Sequence, residues 1–124
     1  MTASYRRCVS LEIPAEQDFL SVARLTLSGL CSFTSLTLDE IADIKVALTE
    51  AANLFINGKR DAQIRFLLDL NPAELTMTVS AGPGAKRGDA VASTHLLLGT
   101  LIDDYTLHGS EVCLVKSLPS SDGN

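Results

Sequence analysis

The sequence predicts an α+β fold: a two-layer sandwich with helices on one face of a mostly antiparallel sheet. Three observations carry the prediction. Segments of period two and segments of helical period follow one another as strand, helix, helix, strand, strand, loop, helix, strand, strand. The later strands come in neighbouring pairs joined by short turns. Hydrophobic residues make up 46% of the chain and charged residues 20%, enough to sustain a core and too apolar for disorder.

Each element has its own warrant. Residues 5–13 carry Val9, Leu11 and Ile13 on one parity, a strand with one buried face. Pro14 follows at a position suited to the first turn of a helix. From Glu16 to about Phe33 the apolar stripe is Phe19, Val22, Leu25 or Thr26, Gly29 or Leu30, and Phe33. Thr37 and Glu40 form a capping box, and Ile41, Ile44, Leu48, Ala51, Ala52 and Phe55 make the stripe behind it. That helix is expected from 38 to about 56, with Gly58 as its C-terminal cap.

Gln63 to Leu70 is apolar enough for a central strand. Asn71-Pro72-Ala73 is the turn. Leu75, Met77 and Val79 then alternate with Glu74, Thr76 and Thr78. The glycine-rich stretch 81–90 is a loop and 91–103 a helix. Tyr105–Leu107 and Glu111–Lys116 close the fold as a hairpin around His108-Gly109-Ser110. No internal repeat is present. Residues 1–118 are read as a single domain and 119–124 as a polar, frayed tail.

Charge and cysteine usage exclude several classes. The 124 residues carry a formal net charge of −5, and the pI is about 4.8. No run of Lys and Arg exceeds two, which argues against direct nucleic-acid binding. No apolar run approaches the ~20 residues of a membrane span. Cys8, Cys31 and Cys113 are odd in number and far apart, so neither a disulfide framework nor a zinc site is expected. Cys113, in Val-Cys-Leu-Val, reads as a small hydrophobe. The N-terminus lacks the apolar stretch of a leader. The expectation is a soluble, cytoplasmic protein.

Two places suit chemistry. On the second helix Asp43, Ala47, Glu50, Asn53 or Leu54, and Asn57 lie along one line, and small neighbours at Ala47 and Ala51 leave room beside Glu50. A carboxylate with amides three and seven residues on suits a hydrated Mg²⁺ or a general base. A solvated polar stripe accounts for the same spacing. In the loop, Gly82-Pro83-Gly84 followed by Lys86 and Arg87 suits a phosphate held by backbone N–H groups. It matches neither a P-loop nor G-x-G-x-x-G, since Arg87 stands where the third glycine belongs; a mobile surface loop is the plainer reading. His95 reads as a helix-surface residue and His108 as a turn residue. Asp103 and Asp104 are adjacent, point about 100° apart on a helix, and cannot act as a pair.

Two blocks carry a resemblance. Residues Ala23-Arg24-Leu25-Thr26-Leu27-Ser28-Gly29 and the run from Thr37 to Ala51 resemble the anti-sigma factor and serine-protein kinase family of bacterial sporulation and stress responses. The ending, Leu101 to Asp104 and Val112 to Lys116, is similar too. The resemblance implies the Bergerat fold of histidine-kinase-like ATPases. It implies a protein that sequesters a sigma factor, is antagonised by an anti-anti-sigma protein, and phosphorylates that antagonist on serine with ATP and Mg²⁺. Family members commonly form dimers. Glu50 matches the family's base. Arg24 matches an arginine that contacts sigma factor and antagonist in turn.

The nucleotide motifs depart from the family. Its Mg²⁺-binding Asn falls at Leu54, leaving Asn53, one step round the helix, as the nearest nucleotide and metal ligand. Its adenine-reading Asp falls at Ser80 or Ala81, ahead of Gly82 and Gly84, the retained nucleotide-binding glycines. Its later glycines fall near Ala92–His95, where none stands. Each lost charge-assisted hydrogen bond costs ~1.5–3 kcal/mol, or roughly 10–100-fold in affinity. ATP binding is therefore expected to be weak or absent.

Three functions follow: a partner-switching anti-sigma factor with its kinase activity lost or weak; a working serine kinase; or an interaction module that binds neither partner. Arg24 is expected on an exposed polar face of the first helix, its guanidinium free for a carboxylate on a partner.

Overall fold

The structure is a computed structural model and describes residues 7–119. Five antiparallel strands form one sheet: β1 (Arg7–Pro14), β2 (Gln63–Leu70), β3 (Glu74–Ala81), β4 (Asp104–His108) and β5 (Glu111–Ser117). Their order is β1-β2-β3-β5-β4. Three helices, α1 (Leu20–Cys31), α2 (Leu38–Asn53) and α3 (Ala92–Leu101), form the second layer. The predicted element order and α+β class are both observed.

Alternation decides the layers. Ile64, Phe66, Leu68 and Leu70 of β2, Leu75, Met77 and Val79 of β3, and Val112 and Leu114 of β5 are buried beneath the helices. Register fixes the match: Phe66 opposes Val79, and Val79 opposes Val112. The Asn71 side-chain oxygen accepts the N–H groups of Ala73 and Glu74 at 2.8 and 3.0 Å, which makes the β2–β3 turn. On the opposite face Cys113 is half-buried beside Thr78. Cys31 is the thiol the core takes in. Burial pushes its pKa up, partly offset by Lys45.

The first helix departs from expectation. Pro14 is the last residue of β1, paired with Gln63, and does not open a helix. A single 3-10 turn over Gln17–Phe19 precedes α1. The buried face of α1 is Leu20, Ala23, Leu27, Leu30 and Cys31. Phe19, Val22, Leu25 and Phe33 are exposed, Leu25 at 72%. Two apolar registers compete in this sequence. The one with small residues at 23 and 31 lets the helix lie close to the sheet.

The capping box on α2 forms in full: Glu40 N–H donates to Thr37 Oγ1 at 3.1 Å, and Thr37 N–H donates to Glu40 Oε1 at 2.8 Å. The helix ends at Asn53, earlier than expected. Phe55 and Ile56 follow in tighter turns, their N–H groups donating three residues back to Ala52 and Asn53. Gly58 has the left-handed backbone expected of it (φ 75°), but beyond the helix and not as its cap. α3 spans ten residues, shorter than the expected 91–103. Residues 5 and 6 of the expected first strand, and 120–124 of the expected tail, lie outside the described residues.

Candidate functional site

α1 and α2 run antiparallel, and two side-chain hydrogen bonds join α1 and the 3-10 turn before it to α2. Gln17 Nε2 donates to Asn53 Oδ1 at 2.6 Å. One level on, Arg24 Nη1 donates to Thr49 Oγ1 at 3.3 Å. Gln17 and Arg24 are seven residues apart and Asn53 and Thr49 four, so the two pairs follow one edge between the elements.

This corrects the expectation for Arg24. It is half-buried and engaged with Thr49. Asn53, the candidate nucleotide and metal ligand, is half-buried and spends its side-chain oxygen on Gln17. Leu54 is half-buried and packs against the core.

Glu50 is half-buried and has no hydrogen-bond or ion-pair partner among the described residues. Ala47 and Ala51 leave no open room beside it, since both are fully buried in the core. Asp43 and Asn57, on the same line, are exposed.

The glycine-rich loop, 82–91, is attached to its surroundings at several points. Gly82 N–H donates to Gln63 O at 2.9 Å, and Gln63 N–H donates to Pro83 O at 2.9 Å, extending the end of the β2–β3 ladder. A Cβ at Gly82 would lie 3.0 Å from Gln63 Cβ and O, so only glycine fits without displacement. Gly84 has φ 76°. Ala85 N–H donates to Gly82 O at 3.1 Å. Gly88 N–H donates to Leu54 O at 2.6 Å, at the end of α2. Asn57 Nδ2 donates to Lys86 O at 3.3 Å. Three N–H groups of a prospective phosphate cradle, at Gly82, Ala85 and Gly88, are thus occupied by carbonyls of the chain itself.

Of the residues that sequence reasoning singled out, Glu50 and Asn53 lie in the C-terminal half of α2, whereas Gly82 and Gly84 lie against Gln63 and Ala62 at the start of the loop. It missed Gln17 and Thr49. Gln17 at 17 and Arg24 at 24 share a heptad spacing, the one signal available for their common edge. The two histidines part company: His108 ends β4, whereas His95 Nδ1 lies 2.9 Å from Tyr105 Oη and ties α3 to β4. Asp103 accepts Ser117 N–H at 2.7 Å and sits 3.8 Å from Lys116 Nζ, a structural role at the end of α3. A cleft between Phe33, Pro72 and Leu118 lies at the opposite end of β2 from the loop.

Comparison with known proteins supports the resemblance. Over 64 residues the chain is 44% identical to the serine-protein kinase RsbW of Bacillus velezensis, covering 47% of this chain and 40% of that protein. It is 42% identical over 43 residues to the serine-protein kinase RsbW of Bacillus subtilis, covering 35% and 27% of the two chains. With the RsbW of Halalkalibacterium halodurans it shares 36% over 53 residues, 43% and 33% of the two. The chain thus spans less than half the length of these curated relatives. Its fold matches a crystal structure of the RsbU and RsbW domains of a Mycobacterium tuberculosis protein, with a TM-score of 0.62 and 13% identity over 92% of this chain and 34% of that one. No family model matches. The resemblance to the anti-sigma factor and serine-protein kinase family holds, as does the histidine-kinase-like fold that it implies. No helix among the described residues is long and apolar enough to cross a membrane.

Proposed function

We propose that this protein is a partner-switching regulator: it sequesters a sigma factor and is displaced by an anti-anti-sigma protein, with kinase activity lost or weak. The observation that carries this reading is the 2.6 Å bond from Gly88 N–H to Leu54 O. Where the resemblance implies a Mg²⁺-binding Asn, this chain has Leu54, and the loop closes on its backbone carbonyl through Gly88. Asn53 offers no ready substitute, because Gln17 already holds its oxygen. In this reading ATP and Mg²⁺ bind weakly or not at all, and the protein works in the cytoplasm, alone or as a homodimer.

Switching then needs only competition. Sigma factor and antagonist share the surface around Arg24, and the antagonist displaces the sigma factor by mass action. The Arg24 guanidinium, held at one edge by Thr49, has four further N–H donors for a partner's carboxylate.

Capture of the cognate sigma factor, followed by addition of the antagonist with and without Mg-ATP, tests the reading. Equal release in both conditions is expected. ATP-dependent loss of the antagonist's action would contradict it.

A second reading rests on Glu50. It is a half-buried carboxylate without an internal partner, at the position of the family's base, in a chain whose relatives are serine-protein kinases. Phosphate transfer to an antagonist serine, abolished in Glu50→Ala, would establish that activity.

A further inference from the structure

The loop over 82–91 has two halves with different attachments. Residues 82–85 continue the sheet through the paired bonds to Gln63. Residues 86–91 are held by three contacts: Gly88 N–H to Leu54 O, Asn57 Nδ2 to Lys86 O, and the Arg87 guanidinium. Arg87 is the one side chain of the loop with a hydrogen bond to another element among the described residues. Its Nε donates to Gly109 O at 2.6 Å, in the β4–β5 turn, and its Nη1 donates to Gly88 O at 3.3 Å.

We propose that Arg87 is a latch: it holds the second half of the loop as a closed strap across the end of α2, and its release opens the strap without unfolding the sheet. This goes beyond the partner-switching reading and stands on geometry alone. The planar guanidinium spans two carbonyls on different segments, one in the hairpin turn and one in the strap itself. Both bonds are charge-assisted, stronger than the neutral amide bonds beside them. The Nη1 bond grips the carbonyl of the residue whose N–H reaches Leu54, so the latch and the contact with α2 meet at Gly88. A side chain at position 88 would crowd this contact, because a Cβ there would stand 3.2 Å from Leu54 O.

The strap leads directly into α3, whose N-terminus has no side-chain cap. Val91 at its end is tied to α3, its carbonyl accepting the Thr94 and His95 N–H groups at 3.0 and 3.2 Å, and once the latch is gone the Gly88 and Asn57 bonds are the hydrogen bonds that remain to residues 86–90 among the described residues. Such weakly attached segments open independently of the global fold.

Amide hydrogen exchange on the full chain tests this, comparing wild type with Arg87→Ala, Arg87→Lys and Gly88→Ala. Arg87→Ala should speed exchange at Gly88 and across 86–91 by about tenfold or more, the worth of a charge-assisted bond. Amides of Phe66 and Val79 should keep wild-type rates. Arg87→Lys should also open the strap, since an ammonium cannot reproduce the two-carbonyl fork. Gly88→Ala should raise exchange over the same residues with Arg87 intact, and it serves if Arg87→Ala does not fold. Unchanged exchange over 86–91 in Arg87→Ala would overturn the proposal. So would an equal rise throughout the sheet, which would make Arg87 a general stabiliser.

Discussion

Arg24 on α1 donates to Thr49 on α2 through Nη1 at 3.3 Å, and so the residue best matched to partner binding is also part of the joint between two helices. Its position is set before any partner arrives. Preorganisation of this kind reduces the ordering cost of association.

Arg24→Ala should leave the circular dichroism spectrum unchanged. It should weaken capture of the cognate sigma factor by about 2–5 kcal/mol if the guanidinium pairs with a carboxylate buried in the complex. Equal recovery of sigma factor by wild type and variant would remove Arg24 from the interface.

The two faces of α1 should differ sharply. Leu27 is fully buried, and Leu27→Ala should cost about 2–5 kcal/mol in denaturant unfolding. Leu25 is 72% exposed, and Leu25→Ala should shift stability by no more than about 0.5 kcal/mol. Similar losses at both positions would restore the stripe expected from the sequence.

Why that stripe misled is physical. Phe19, Val22, Leu25 and Phe33 are large and catch the eye, whereas the buried register depends on Ala23 and Cys31. Small residues admit close packing and leave a faint pattern. The 3-10 turn after β1 then sets the phase at Leu20. By contrast the capping box of Thr37 and Glu40 was legible, because all its partners lie within three residues. The strands were legible because Leu75, Met77 and Val79 alternate without competition. At the candidate site the decisive pairs are remote: Gln17 with Asn53 is 36 residues apart, and Arg87 with Gly109 is 22. The Gly88–Leu54 contact is between backbones, which no side-chain pattern encodes.

The capping box predicts a pH dependence. The N–H of Thr37 and its hydroxyl hold Glu40 below the usual carboxylate range. A carboxylate with a lowered folded pKa adds stability above its unfolded pKa, and that stability is lost as pH falls through the folded value. Glu40→Gln should therefore flatten part of the acid-side loss seen in denaturant titrations. Thr37→Ala should cost about 1 kcal/mol at neutral pH. Identical acid profiles for wild type and Glu40→Gln would dismiss the box as a source of that dependence.

Gly82→Ala should be destabilising by about 1–3 kcal/mol, because the new methyl would lie 3.0 Å from Gln63 Cβ and O at the end of β2. Thermal unfolding reads this directly. A wild-type midpoint would mean that the loop yields at no cost.

The measurement that bears most directly on partner switching with little or no kinase chemistry is calorimetric titration of the full chain with Mg-ATP. With Gly88 bonded to Leu54 and Asn53 to Gln17, no saturable binding is expected below the millimolar range. A dissociation constant of a few micromolar would contradict this account and establish a working nucleotide site in its place.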